Sequence, residues 1–258
     1  MASATFKRRA QQLANIFENG ETEFNYGFAR RLGDGRGVAF GCLRWRTGFG
    51  DGLGIVRRYV AAKPGVAMGR YLPALEAIKR GRDPDSLVGL EGFEAAVSHA
   101  ASRDPVFRMA QREEVDELYW SPSQSRARSL GLRYDLSKSL IYDTWVHHGP
   151  EDKPGRAALG METIIEMTNS CKRLQPGNGG RAERDWVLAF LDSRQYAMAT
   201  AEGVWRSWRS STPRINVYRQ LITAGAWNFD RPIVLGSSQS LSNMWVVSES
   251  SFGRHTIT

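Results

Sequence analysis

Phe6-Lys7-Arg8-Arg9-Ala10-Gln11-Gln12-Leu13-Ala14-Asn15-Ile16-Phe17-Glu18-Asn19-Gly20 is the stretch from which the fold is read. Phe6, Ala10, Leu13, Ala14 and Phe17 recur at three- and four-residue intervals, which places them on one face of an α-helix. The spacing predicts a helix over residues 6–17. Asn19-Gly20 stops it, because glycine readily takes the left-handed backbone that ends helices. Glu18 therefore falls on the last turn. A helix C-terminus is already partly negative, so a structural carboxylate has no reason to sit there, whereas a carboxyl that must keep its proton does.

Past this helix the pattern changes. Phe24, Tyr26 and Phe28 alternate, Gly33-Asp34-Gly35-Arg36-Gly37 reads as a sharp turn, and residues 38–45 form a second extended run. A small hairpin or sheet is predicted, with Asp34 on its turn. Helix-forming sequence returns after Asp51, over residues 52–63, 67–80, 90–101, 104–119, 123–131, 133–147, 160–173 and 182–204. Pro64-Gly65, Asp83-Pro84-Asp85 and residues 149–155 are the breaks. Leu136, Leu140, Trp145 and Val146 make 133–147 a central buried helix. Residues 175–180 read as a flexible loop, and 232–258 as irregular or short extended structure. The fold class expected is mainly α, with a little β (α+β).

A chain of 258 residues with 41% hydrophobic and 24% charged content can bury one large domain or two lobes. No run approaches the ~18 apolar residues that span a membrane, so membrane insertion is not expected. The basic cluster Lys7-Arg8-Arg9 has no apolar stretch behind it, so no secretory signal is legible. Cys42 and Cys171 allow either one disulfide or two buried thiols. His147 and His148 are adjacent and point apart, and no other residues have metal-ligand spacing; neither a metal nor a cofactor is implied. The net charge of +8 raises the question of nucleic acid. Basic residues are scattered among carboxylates, however, and the densest cluster, Lys79-Arg80-Gly81-Arg82, lies in a loop, so no nucleic-acid partner is expected.

Two carboxyl groups in contrasting settings suit glycoside hydrolysis, which needs one protonated acid and one ionised base flanking the scissile bond. Glu18 follows the apolar Ile16-Phe17 and Asp34 lies among glycines beside Arg36. The run Glu18-Asn19, Tyr26, Asp34-Gly35-Arg36-Gly37, Gly41 and Asp51 resembles the signature of the bacterial chitosanases of glycoside hydrolase family 46. Similar stretches continue in order through Tyr71-Leu72-Pro73-Ala74-Leu75, Asp104-Pro105-Val106-Phe107, Tyr142-Asp143, His148-Gly149-Pro150 and Phe190-Leu191-Asp192-Ser193-Arg194, covering roughly residues 7–230.

The resemblance implies a lysozyme-like fold: a single catalytic domain, 1–258, of two lobes joined by a long central helix, with the substrate cleft between them. It implies an endo-acting, inverting hydrolase of chitosan, with Glu18 as general acid and Asp34 activating the water. It also implies a buried Asp143, Arg194, Arg214 network beneath the acid. Tyr26, Arg36, Asp51, His148, Gly149 and Pro150 are the implied substrate-binding residues, Asp51 facing a substrate amine. A secreted monomer is the matching expectation. One departure stands out: five residues after Asp34 the chain has Ala39, where the family usually carries a Thr or Ser that helps place the water.

Two other readings compete. A +8 protein repels polycationic chitosan at long range, although Glu18, Glu21, Glu23, Asp34 and Asp51 supply local negative charge. That leaves room for a muramidase acting on anionic peptidoglycan. A non-catalytic sugar-binding protein is the third, with Trp45, Trp120, Trp205 and Trp208 available to stack on sugar faces.

Overall fold

The computed structural model describes residues 3–172, 175–177, 179–236, 244–247 and 252–258, with backbone alone at 171 and 172. The chain divides into two compact units, one from Met1–Glu23 and Tyr119–Thr258, the other from Phe24–Leu118.

Helix α1 (Ala4–Asn19) opens the first unit. It begins before the first periodic apolar residue because the Ser3 hydroxyl caps it, accepting a hydrogen bond from the Phe6 N–H at 3.1 Å. It ends where the sequence placed the stop: Gly20 has φ +74°, and its N–H donates to the Ile16 carbonyl at 2.9 Å. Asn15, buried within the helix, donates from Nδ2 to the Glu21 and Glu23 carbonyls at 2.7 and 2.8 Å. That contact fixes the path of the chain just beyond Glu18.

The second unit begins with β1 (Ala29–Arg31), β2 (Val38–Phe40) and β3 (Trp45–Arg46), an antiparallel sheet in that order. Arg31 pairs with Val38, and Ala39 pairs with both Arg30 and Arg46. The predicted hairpin is thus a three-stranded sheet, with Asp34 in its first turn. Helices α2 (Leu53–Ala62), α3 (Leu72–Arg80), α4 (Phe93–Arg103) and α5 (Pro105–Val115) follow. The predicted helix over 67–80 is a 3-10 turn, Ala67–Tyr71, running into α3. The aromatic side chains Phe40, Trp45, Tyr59, Tyr71, Phe93 and Phe107 pack this unit's interior.

The chain returns to the first unit through a π-helical segment, Asp116–Trp120, and continues into α6 (Ser121–Ser129). The helices predicted separately over 104–119 and 123–131 run on without a gap, because Pro122 falls in the first turn of α6, where its missing N–H costs nothing, and the wider π turn absorbs the register change. Helix α7 (Asp135–His148) is buried along nearly its whole length, with Leu136, Leu140, Ile141 and Tyr142 at 1% exposure or less. Helices α8 (Met161–Lys172) and α9 (Gly180–Ala199) follow. The predicted helix over 182–204 stops at Ala199. A 3-10 segment, Gly203–Ser211, then leads into α10 (Thr212–Thr223), a helix that the apolar pattern did not mark and that Pro213 helps start. A second sheet closes the unit, β4 (Ile233–Leu235) pairing in parallel with β5 (Trp245–Val247) and antiparallel with β6 (His255–Ile257). Of the loop predicted over 175–180, Asn178 lies outside the described residues. Among the described residues no helix is long and apolar enough to cross a membrane.

One buried carboxylate joins three segments of the first unit. Glu183 on α9 is fully buried and accepts the N–H groups of Arg133, Tyr134 and Gly179 at 2.8, 3.0 and 2.9 Å. Glu183→Ala strands three part-buried donors and is expected to cost about 3 kcal/mol. A thermal melt should show Tm falling by several degrees; an unchanged Tm would refute this role.

Candidate active site

Glu18 leaves the end of α1 with its side chain 27% exposed. Its carboxylate accepts a hydrogen bond from Arg214 Nη2 at 2.8 Å, and the same nitrogen lies 3.4 Å from the Phe17 carbonyl. Arg214 Nη1 reaches Asp143 Oδ1 at 3.4 Å, while Arg194 Nη1 reaches Asp143 Oδ2 at 2.6 Å. Glu18, Arg214, Asp143 and Arg194 thus form one chain of alternating acidic and basic side chains. Asp143 and Arg194 are completely buried and Arg214 nearly so. Charges so far from water persist only when paired, and the planar guanidinium fork fixes the direction of each carboxylate it holds. Burial works against the Arg214 charge, but the Asp143 and Glu18 carboxylates outweigh it and raise its pKa.

Asp34 is held by a different device. Gly33, Gly35 and Gly37 all have positive φ, so the turn curls around the aspartate. At Gly37 any Cβ would lie 2.2 Å from Thr47 Oγ1. Asp34 Oδ2 accepts from Arg36 Nε and Nη2 at 3.0 and 2.6 Å and from Arg46 Nη2 at 2.9 Å. Oδ1 is buried and has no hydrogen-bond partner among the described residues. Burial pushes the Asp34 pKa up, but the Arg36 hydrogen bond and the charges of Arg36 and Arg46 outweigh it, so the net shift is downward. Asp34 is therefore an ionised carboxylate at neutral pH. Asp51, half-buried, accepts the Arg46 N–H at 2.7 Å. Burial pushes its pKa up to about 6, against the hydrogen bond from Arg46.

The other sequence candidates fall in varied settings. Tyr26 is half-buried, its carbonyl accepting from Gln111 Nε2 at 3.0 Å and its ring near Arg112. Arg36 is half-buried beside Asp34. Gly149 is half-buried and Pro150 exposed. His148 needs correction: it is 0% exposed, packs on Trp208 and bonds through Nδ1 to the Leu159 carbonyl. Its side chain faces the interior and has no surface to offer a ligand. Desolvation, with the positive charge of Arg194 and Arg214, holds both His147 and His148 neutral. The sugar-stacking reading also fails for Trp45, Trp120 and Trp208, which are buried in packing, while Trp205 is partly buried against Trp208. Cys42 is a buried thiol whose pKa desolvation raises; the side chain of Cys171 lies outside the described residues. Among the described residues no three His, Cys, Asp or Glu gather to hold a metal ion. Sequence reasoning passed over Arg46. Its position directly opposite Ala39 on the neighbouring strand was the only available signal, and it needs the register to be read.

A mainly helical fold with small sheets and two arginine-anchored carboxylates of these kinds points to the glycosidases. Residues 12–233 match the sequence model of Glycosyl hydrolase family 46, and the chain belongs to that family. A chitosanase from Bacillus subtilis (strain 168) is 36% identical over 235 residues, 90% of this chain and 82% of that one. A mutant chitosanase from Bacillus subtilis MY002, solved in complex with 6 GlcN, superposes with a TM-score of 0.84 at 31% identity over 100% of both chains. A Gynuella sunshinyii family 46 chitosanase in complex with chitotetraose superposes at 0.78 with 30% identity, over 88% of this chain and 92% of that one.

The upward shift at Asp51 carries a stability consequence. Its raised folded-state value means stability is fully present below its unfolded value near 4 and is lost as pH rises through about 6. Asp51→Asn keeps an oxygen acceptor for the Arg46 N–H without the charge. The variant should therefore match wild type in thermal melts near pH 4 and exceed it by about 1–2 kcal/mol above pH 7. Equal stability at both pH values would contradict the burial argument.

Proposed function

We propose that the protein is a chitosanase, hydrolysing the β-1,4 links of glucosamine-rich chitosan, with Glu18 as general acid and Asp34 as general base. The observation that carries this reading is that the two matched carboxylates share one design. Each is a little over a quarter exposed, at 27% and 28%, and each is held from behind by arginine. The exposed part can meet a ligand while the guanidinium fixes its direction. The chitosanases to which the chain is similar, including those solved with 6 GlcN and with chitotetraose, support the choice of substrate.

In this mechanism Glu18 gives its proton to the glycosidic oxygen as the C1–O bond breaks. Asp34, ionised by its arginines, takes a proton from the water that attacks C1 on the opposite face. The configuration at C1 inverts, so the new reducing end is first formed as the α-anomer. Tyr26, Arg36, Gly149 and Pro150 contribute to substrate binding, and Asp51 faces a substrate ammonium, which its ionised form attracts above about pH 6. We propose endo cleavage by a secreted monomer.

Reducing-sugar release from highly deacetylated chitosan, with purified peptidoglycan as the second substrate, tests this assignment. Glu18→Gln and Asp34→Asn should each lose ~10²–10⁴-fold in kcat on chitosan while keeping the wild-type melting profile. Release from peptidoglycan alone would replace the substrate, and full activity in either variant would remove that residue from the mechanism. Asp51→Asn should raise KM severalfold at pH 7 with kcat nearly unchanged; a KM equal to that of wild type would end its substrate role.

A further inference from the structure

Two buried polar atoms beside the proposed base lack partners among the described residues, and they are complementary. Asp34 Oδ1 is an acceptor and Arg46 Nη1 is a donor. Each is one bond angle from the 2.9 Å ion pair between Asp34 Oδ2 and Arg46 Nη2. A guanidinium and a carboxylate usually close such a fork with two parallel hydrogen bonds. Here the fork is joined at one pair of atoms only. An unmade hydrogen bond on a buried charged group costs more than one on a neutral group, so a donor and an acceptor both left open beside each other suit a small molecule that can bond to both.

The neighbouring side chains do not offer another donor at this point. Ala39, directly across the sheet from Arg46 and on the same face, has only a methyl group. The Thr47 hydroxyl is buried and accepts the Val38 N–H at 3.0 Å. Arg36 binds the other oxygen of Asp34. Arg46 itself is rigidly placed. Its side chain is 13% exposed, and its own N–H is fixed by Asp51.

We propose that Arg46 is the positioning residue for the attacking water, holding Asp34 through Nη2 and donating to the water oxygen through Nη1 while Asp34 Oδ1 accepts the water proton. The proposal rests on Asp34 being the general base. One O–H bond of the water breaks, its proton going to Asp34 Oδ1, and the oxygen's electron pair forms the bond to C1. The C1–O glycosidic bond breaks, and Glu18 supplies the proton to the departing oxygen, so no other reactant is needed. Lone-pair direction is what Nη1 adds: a water that donates to Oδ1 and accepts from Nη1 has its remaining lone pair set by the protein.

The charges facing Asp34 are Arg36 from its own turn and Arg46 from β3. Arg44 and Asp51 stand near Arg46, and Asp85 accepts the Gly37 N–H at 3.0 Å. Removing Arg46 takes away one of the two cations beside Asp34. The acid limb of the pH profile should then move to higher pH through the lost charge alone, so Arg46→Lys, which keeps the charge, is the variant that isolates the contact with the water.

The test measures kcat, KM and the pH profile on a glucosamine hexamer for Arg46→Met, Arg46→Lys, Arg46→Met with Ala39→Thr, and Asp34→Asn. Arg46→Met is expected to lose on the order of 10²-fold in kcat with KM little changed, and to shift the acid limb upward. A threonine at position 39 stands opposite residue 46 on the same face, and its hydroxyl should return roughly 10-fold or more of the lost kcat. Arg46→Lys keeps the charge but cannot bridge both atoms as a fixed fork. It should melt like wild type and still lose roughly 10-fold in kcat, which separates the role from any loss of folding. Wild-type kcat in Arg46→Lys or Arg46→Met, with Asp34→Asn inactive, would overturn the proposal and leave the base assignment intact. Wild-type turnover in Asp34→Asn would overturn the base assignment, and this proposal with it.

Discussion

Asp143, in the middle of α7, lies between two guanidinium groups with almost no access to water, and the first unit is organised around keeping those charges paired. An isolated charge in such a place would cost several kcal/mol, so α7, α9 and α10 are bound to one relative arrangement wherever their three ionic side chains meet. Arg214 does two things at once. One arm of its fork closes the buried pair and the other reaches the end of α1 to hold Glu18. The direction of the Glu18 side chain is thus set by helices distant from it in sequence. The helix-end field at Glu18, visible in the sequence, is only one part of its electrostatic setting, because a cation stands 2.8 Å away.

In the second unit the same residue type does a related task by a cheaper route. The Asp34 turn needs glycine backbone to curl and needs no complete burial, so its arginines are half-buried and keep some contact with solvent. Solvent lowers the cost of these charges, and the downward shift of the Asp34 pKa follows from two nearby cations outweighing partial burial. Asp51, more deeply placed and with its main contact a backbone N–H, shifts the opposite way. Two aspartates a short distance apart along the chain therefore titrate in opposite directions, and environment alone separates them.

Much of this could be read along the chain. The α1 period, its glycine stop and the glycine-rich turn at Asp34 are local features, and local backbone preferences fixed them. The family motif added Asp143, Arg194 and Arg214, but the helix carrying Arg214 was missed. Its apolar face is short, and its start depends on Pro213 following a 3-10 segment that the 3.6-residue period does not detect. His148 misled for a related reason. A histidine beside Gly149-Pro150 looks like part of a loop, yet it closes α7 and turns inward against Trp208.

By itself the sequence determined where most of the helices lie, which glycines allow the chain to turn, and which carboxyl groups lie at the end of α1 and on the turn before β2. All of these depend on interactions among residues a few positions apart. Only the tertiary structure decided which charges pair. The link from Asp143 to Arg214 joins residues 71 apart, and that from Glu18 to Arg214 joins residues 196 apart. It also set the register that puts Arg46 opposite Ala39, because strand pairing is fixed by burial of one face and not by any single residue. Pairing at such separations is decided by the exclusion of water, which no local pattern records.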